Sequence, residues 1–141
     1  MSRSGYTDEG EYSALWRGAV ERSIKGKRGQ TMFRDLLAAL DAMPEKILAA
    51  DSLVTADGEY CTLGALGAAR GLDMKPIDPE DYDAVARSFG VAPALVREVV
   101  YMNDEAEDGH RCIAGTWTYK PETPAERWTR MRKWVEQQIS H

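Results

Sequence analysis

The residues in this sequence able to attack, ligate or hold charge define a few chemistries that their spacing can support or exclude. Cys61, Cys112 and His110 are the material of thiol catalysis, in which an imidazole takes the proton of an attacking sulfur. No motif surrounds them, and the second histidine, His141, ends the sequence. The cysteines stand 51 positions apart and neither belongs to a CxxC pair, so neither a zinc site nor a disulfide framework is indicated. Both are expected to be small buried hydrophobes. Asn103 to Gly109, NDEAEDG, carries the carboxylates of a cation loop. Its Asp104/Asp108/Gly109 spacing matches a calcium loop only in part. Ala106 takes a ligand position, and Gly115 stands where the bidentate glutamate belongs. No catalytic set, metal or cofactor is therefore expected, and the chain reads as a non-enzyme.

What remains is charge able to recognise a partner. The 141 residues carry a formal charge of −5 and a pI near 5.1, so as a whole the protein repels nucleic acid and anionic membrane. The charge is unevenly spread. Arg17 to Arg34 holds six cations and one acid, Glu21, for +5, whereas Asp78 to Asp108 holds nine acids and two arginines, for −7. Such poles serve as solvated faces, attract each other within the fold, or meet a partner. Asp104, Glu105, Glu107 and Asp108, with Tyr101 beside them, form the candidate surface for a protein partner. An acidic helical surface of this kind can occupy a basic groove built for nucleic acid. Lys25, Lys27 and Arg28, in the turn KGKRGQT, form a candidate anion or nucleotide patch, since glycines before a helix start free backbone N–H groups. The turn lacks the GxxxxGK[ST] spacing, and no strand precedes it.

The elements that must position these groups read as helices. With 43% hydrophobic and 29% charged residues, the composition is that of a globular protein, expected as one domain with residues 1–8 as a possible arm. Leu15, Trp16, Ala19, Val20 and Ile24 recur at helical steps, predicting a helix from about Asp8 or Glu11 to Lys25. Met32, Phe33, Leu36, Leu37, Leu40 and Met43 predict a second from about Thr31, stopped near Pro44. PEKILAAD predicts a short third helix. LVTADGEYCTL is the hairpin candidate, because Asp57-Gly58 tolerates positive φ. LGALGAARG reads as a helix whose glycines allow close packing. Asp78-Pro79 marks a helix start, and that helix ends at Gly90; another runs from Pro93 to about Asn103. Thr123-Pro124-Ala125-Glu126 is a capping box opening the last helix. Trp117 and Tyr119, placed in a loop, and Tyr101 and Met102, near a helix end, are candidate interface anchors or core. The expected fold is a mainly α, compact domain of five to six helices with one small β-hairpin. No apolar run approaches the ~20 residues of a membrane span. MSRSGYTDEG has no apolar segment marking export, so a cytoplasmic setting is expected.

Ala84 to Val100, AVARSFGVAPALVREVV, resembles a helix-turn-helix: Ala86, Gly90, Val85, Phe89, Val91, Val96 and Val99 occupy the small, turn and apolar places. DNA reading through it would fall to Arg97 and Tyr101. It is disfavoured by the surrounding acids, and because no Ser, Lys, Asn or Gln near the second helix start is available to hold phosphate. GKRGQ, LLAALDAMPEK, LGALG-AARG-LDM, DPEDYDAVARSFG, VYMNDE and ETPAERWTRMRKWV resemble, in this order, small accessory proteins of temperate bacteriophages and prophages. The resemblance implies a bacterial host cell and no established activity. Small acidic phage proteins without catalytic sets are similar to inhibitors of host machinery, anti-CRISPR proteins among them. The leading expectation is therefore a phage protein that binds and modulates a host protein complex such as a defence system. A DNA-binding regulator is the alternative, and an anion or nucleotide binder the weaker one. Homo-oligomerisation stays open.

Overall fold

The computed structural model describes residues 12–106 and 110–140. Its helices are α1 (Tyr12–Lys25), α2 (Lys27–Ala42), α3 (Thr62–Ala69), α4 (Tyr82–Phe89), α5 (Pro93–Asp104) and α6 (Pro124–Gln138). One two-stranded antiparallel sheet, β1 (His110–Ile113) and β2 (Thr116–Tyr119), lies between α5 and α6. The protein is thus mainly α with a small hairpin. Among the described residues no helix is long and apolar enough to cross a membrane.

α2 is the central helix. Met32, Phe33, Leu36 and Leu40 recur at helical period and are fully buried. α1, α3 and α6 pack on α2, and α5 packs on α1, α3 and α6. Leu63 and Leu66 of α3, Leu95, Val96 and Val99 of α5, and Met131 and Val135 of α6 complete the core. Trp134 meets Phe33 edge-on, with ring centroids 5.5 Å apart. α2 begins a full turn earlier than the sequence pattern predicts. Gly26 alone separates it from α1, and Gly29 sits inside it. A Cβ on Gly29 would lie 1.9 Å from the Ser23 carbonyl oxygen, so the close crossing of the two helices requires glycine there. Buried Gln30 ties the junction to the far end of the chain: its Nε2 donates to the carbonyls of Ile24 (2.7 Å) and Gln138 (2.9 Å), and its Oε1 accepts from Ser140 N–H.

The predicted helix at PEKILAAD is absent, and residues 43–50 run irregularly. Their amides serve other elements: Leu48 N–H donates to the Pro124 carbonyl and Ala49 N–H to the Tyr60 carbonyl. Long-range partners thereby outcompete a local helix that would have been about two turns long. Asp57-Gly58 does turn the chain, with Gly58 at φ 81°, but Val54 and Tyr60 form a single bridge rather than a hairpin. Leu53 and Cys61 are buried next to that bridge, and the chain enters α3 at once. In α3 the expected close packing is present, since a Cβ on Gly64 would lie 1.8 Å from the Leu53 carbonyl oxygen. The α4 cap is Asp81, not Asp78. Asp78 instead makes a turn, accepting from Glu80 N–H at 2.9 Å, while Asp81 accepts from Ala84 N–H at 3.1 Å. α6 carries the predicted capping box on Thr123 and Glu126.

On the outer face of α6, Arg132 donates to both Asp41 oxygens and to Glu136. The hydrogen bond from Arg132 holds the Asp41 carboxyl below its ordinary value of 3.8. A depressed folded-state pKa adds stability above the unfolded value, and that stability is lost as pH falls through the folded one. Asp41→Asn is therefore expected to flatten the acid limb of a melting-temperature profile below its ordinary titration point. The change at neutral pH should be small, because the pair is exposed. An unchanged acid limb would show the pair to be silent.

Candidate functional site

Of the residues predicted to meet a protein partner, Tyr101, Asp104 and Glu105 are half-buried at the C-terminal end of α5; Glu107 and Asp108 lie outside the described residues. Asp104 Oδ1 accepts from Asp51 N–H (3.2 Å) and from Asn103 Nδ2 (2.6 Å). Acids at a helix C-terminus oppose the macrodipole. Here Arg130 offsets them, its guanidinium donating to the carbonyls of Met102 (2.5 Å) and Asn103 (3.2 Å).

The same Arg130 grips Glu122 through two bonds of 2.6 and 3.0 Å, with Arg127 on the other side of that carboxylate at 3.5 Å. Glu122 follows β2, and Met102 and Asn103 precede β1. One guanidinium therefore ties the end of α5 and the residue Glu122 after β2 to α6. The hairpin lies where the sequence pattern predicts a loop. The connection between the strands is Ala114-Gly115, with φ of 53° and 79°. Two positive φ values give the tight turn whose twist matches the strands, but alanine tolerates the first position poorly. Ala114→Asn is expected to stabilise the ribbon by about 1 kcal/mol, read as slower amide exchange at Thr116 to Tyr119. Equal exchange rates would rule out strain at that turn.

The register pairs Cys112 with Trp117 and Ile113 with Thr116. Alternation then places Cys112, Trp117 and Tyr119 on one face, and Ile113, Thr116 and Thr118 on the other. Each of the four residues of β2 is exposed. Trp117 is 71% exposed, Ile113 68% and Tyr119 54%. Cys112 is exposed too, contrary to the expectation for it, whereas Cys61 is buried and its sulfur caps α3 by accepting from Gly64 N–H. A two-stranded ribbon is marginal in water unless something covers it. The sequence signals for it were the TWTY run of β-formers and the Ala-Gly turn, both weaker than Asp57-Gly58.

The charge poles meet inside the fold at one point. Glu98 is buried and pairs with Arg17 at 2.7 Å. The helix-turn-helix-like hairpin of α4 and α5 exists: Gly90 has φ 68° and Val91 N–H reaches the Ala86 carbonyl, as in a left-handed helix cap. Arg97, however, is half-buried between two rings, 5.1 Å from the centroid of Trp16 and 4.9 Å from that of Tyr82. Its guanidinium is occupied by cation–π contact.

The basic turn lies beside this motif. A groove of about 380 Å³ is lined by Ser23, Gly26, Lys27, Arg28 and Gly29 from the α1–α2 junction, and by Val91, Ala92 and Leu95 from the start of α5. Lys27 and Arg28 occupy the first two positions of α2, where each cation costs about 0.3–1 kcal/mol against the dipole. No group of three or more His, Cys, Asp or Glu side chains among the described residues is arranged to hold a metal ion. No family model, curated protein or solved structure matches the chain.

Proposed function

We propose that this protein is a non-enzymatic binding protein whose β1–β2 ribbon inserts into a cleft of another protein. The observation that carries the reading is the exposure of Trp117, Ile113 and Tyr119 on a ribbon flanked by Met102 and Glu122, both of which bond to Arg130 of α6. Exposed aromatic residues on a pre-positioned element bind at low entropic cost, and Trp and Tyr dominate interface energetics. Three such side chains offer about 500 Å² of contact. That falls short of the ~800 Å² per partner of a stable interface. Face-to-face pairing of two ribbons therefore buries too little, and a concave partner surrounding both faces suits the shape better. Asp104 and Glu105 at one stalk, continued in sequence by Glu107 and Asp108, complement a cleft with a cationic rim, of the kind that holds nucleic acid. With the phage-like sequence blocks, the reading becomes an accessory protein that occupies such a cleft in a host complex and so modulates it, as an anti-defence inhibitor would.

The test compares tagged wild type with Trp117→Ser/Tyr119→Ser in nuclease-treated bacterial lysate, alongside sedimentation of the purified protein. A complex retained by wild type and lost by the double variant, from a protein that sediments as a monomer, is the expected result. Equal capture by both proteins would remove the ribbon from the interface. Self-association lost in the double variant would make the partner a second copy.

A further inference from the structure

We infer that the groove at the α1–α2 junction is a second, separate surface that binds the phosphate backbone of duplex DNA without reading its bases. The inference does not rest on the role given to the ribbon. Arg22, Lys25, Lys27 and Arg28 are all exposed, and none makes an ion pair among the described residues. By contrast, Arg17, Arg70, Arg127, Arg130 and Arg132 each do. Arg22 and Lys25 favour the carbonyl end of α1, but Lys27 and Arg28 stand against the positive end of α2. A phosphate in the groove reverses that penalty.

The tertiary structure also supplies what the helix-turn-helix-like stretch lacks by itself. Val91, Ala92 and Leu95 share the groove with Lys27 and Arg28, so cations from another element flank the start of α5. α2 and α5 both begin on residues that give no side-chain cap, Gly26 and Ala92. Their first-turn amides add to the positive potential of the groove. Two acids of the described residues, one on α1 and one on α5, bear on it. Glu21 is exposed on α1, and Glu98 is neutralised by Arg17. Asp81 and Asp83 stand at the start of α4, whose eight residues place that end roughly 12 Å along the helix from Gly90.

Two of the four cations, Arg22 and Lys25, lie outside the groove lining, so the charge is strung out and suits a polyanion better than one small anion. Ala92, Pro93 and Ala94, which open α5, carry no side-chain donor for base edges, and Arg97 is held between Trp16 and Tyr82.

The experiment is fluorescence anisotropy of two labelled duplexes of unrelated sequence, titrated with the full chain between roughly 50 and 200 mM salt. Neutralising about four phosphates predicts equal binding of both duplexes and roughly a hundredfold loss of affinity across that range. Lys27→Glu/Arg28→Glu should bind at least tenfold more weakly at low salt. Its melting temperature should be equal or higher, since both substitutions favour the start of α2. Should the double variant fail to fold, Arg22→Gln/Lys25→Gln takes its place, with a several-fold loss expected. Absence of binding at low salt would overturn the inference, as would unchanged binding by the variants or a preference for one duplex. Displacement of the duplex by inorganic phosphate at constant ionic strength would overturn it in favour of a single-anion site.

Discussion

Replacing Trp117 by alanine should weaken partner binding by about 2 kcal/mol or more, roughly thirtyfold, while leaving the melting temperature within a degree or two of wild type. The two halves of this expectation come from one fact, the 71% exposure of the side chain. A residue that buries little on folding contributes little to folded-state stability, and most of its apolar surface remains available for association. Trp117 faces the same side as Cys112 and Tyr119, so the loss should be shared unequally on that face, with Tyr119→Ala costing less. Thr118→Ala, on the opposite face, provides the control for ribbon integrity. Calorimetric titration of the captured partner decides the matter. A loss below about threefold for Trp117→Ala would place the binding energy elsewhere on the molecule. A fall in melting temperature of wild-type-like ribbon controls would show instead that the ribbon supports the fold.

The largest loss of stability is expected from Asn103→Ala. Asn103 is 2% exposed at the end of α5, and its side chain satisfies four groups. Oδ1 accepts from Thr62 N–H at 3.1 Å and from Thr62 Oγ1 at 2.8 Å, while Nδ2 donates to the Ala49 carbonyl at 3.0 Å and to Asp104 at 2.6 Å. Thr62 is itself fully buried, so its amide has no route to water. Truncation leaves about three buried polar groups unpaired, at ~1 kcal/mol or more each, for a total of about 3 kcal/mol. Urea unfolding should show a lower midpoint with an unchanged slope. A loss under about 1 kcal/mol would mean that water enters and replaces the amide. Because Asn103 immediately precedes Asp104 and its carbonyl is held by Arg130, the same variant should also loosen the ribbon's stalk. Partner binding is then expected to fall together with stability, unlike the Trp117 case.

Much of the scaffold was legible because its signals are local. The apolar periodicity of Met32 to Leu40, the Thr123 to Glu126 capping box and the Gly90 turn each act within a few residues of themselves. Such signals survive whatever the rest of the chain does. Elements that depart from the sequence pattern depend instead on distant partners. PEKILAAD has helical propensity, yet the amides of Leu48 and Ala49 go to Pro124 and Tyr60, more than ten residues away. Asp57-Gly58 is the stronger turn pair, yet the chain enters α3 at Thr62, directly after the single Val54–Tyr60 bridge and Cys61. Meanwhile Ala114-Gly115, a weaker pair with a strained alanine, closes the actual hairpin.

The sequence by itself determined the helical class, the capping of α6, the charge poles and the short list of residues worth asking about. It did not determine which of them are available to a partner. That was decided by packing, because exposure is set by neighbours from distant segments. Glu98 is neutralised by Arg17, and Arg97 is enclosed by Trp16 and Tyr82, across intervals of 81, 81 and 15 residues. Trp117 is left in the open. Lys27 and Arg28 reach the start of α5 only because Gly29 lets α2 cross α1 closely enough to bring them there.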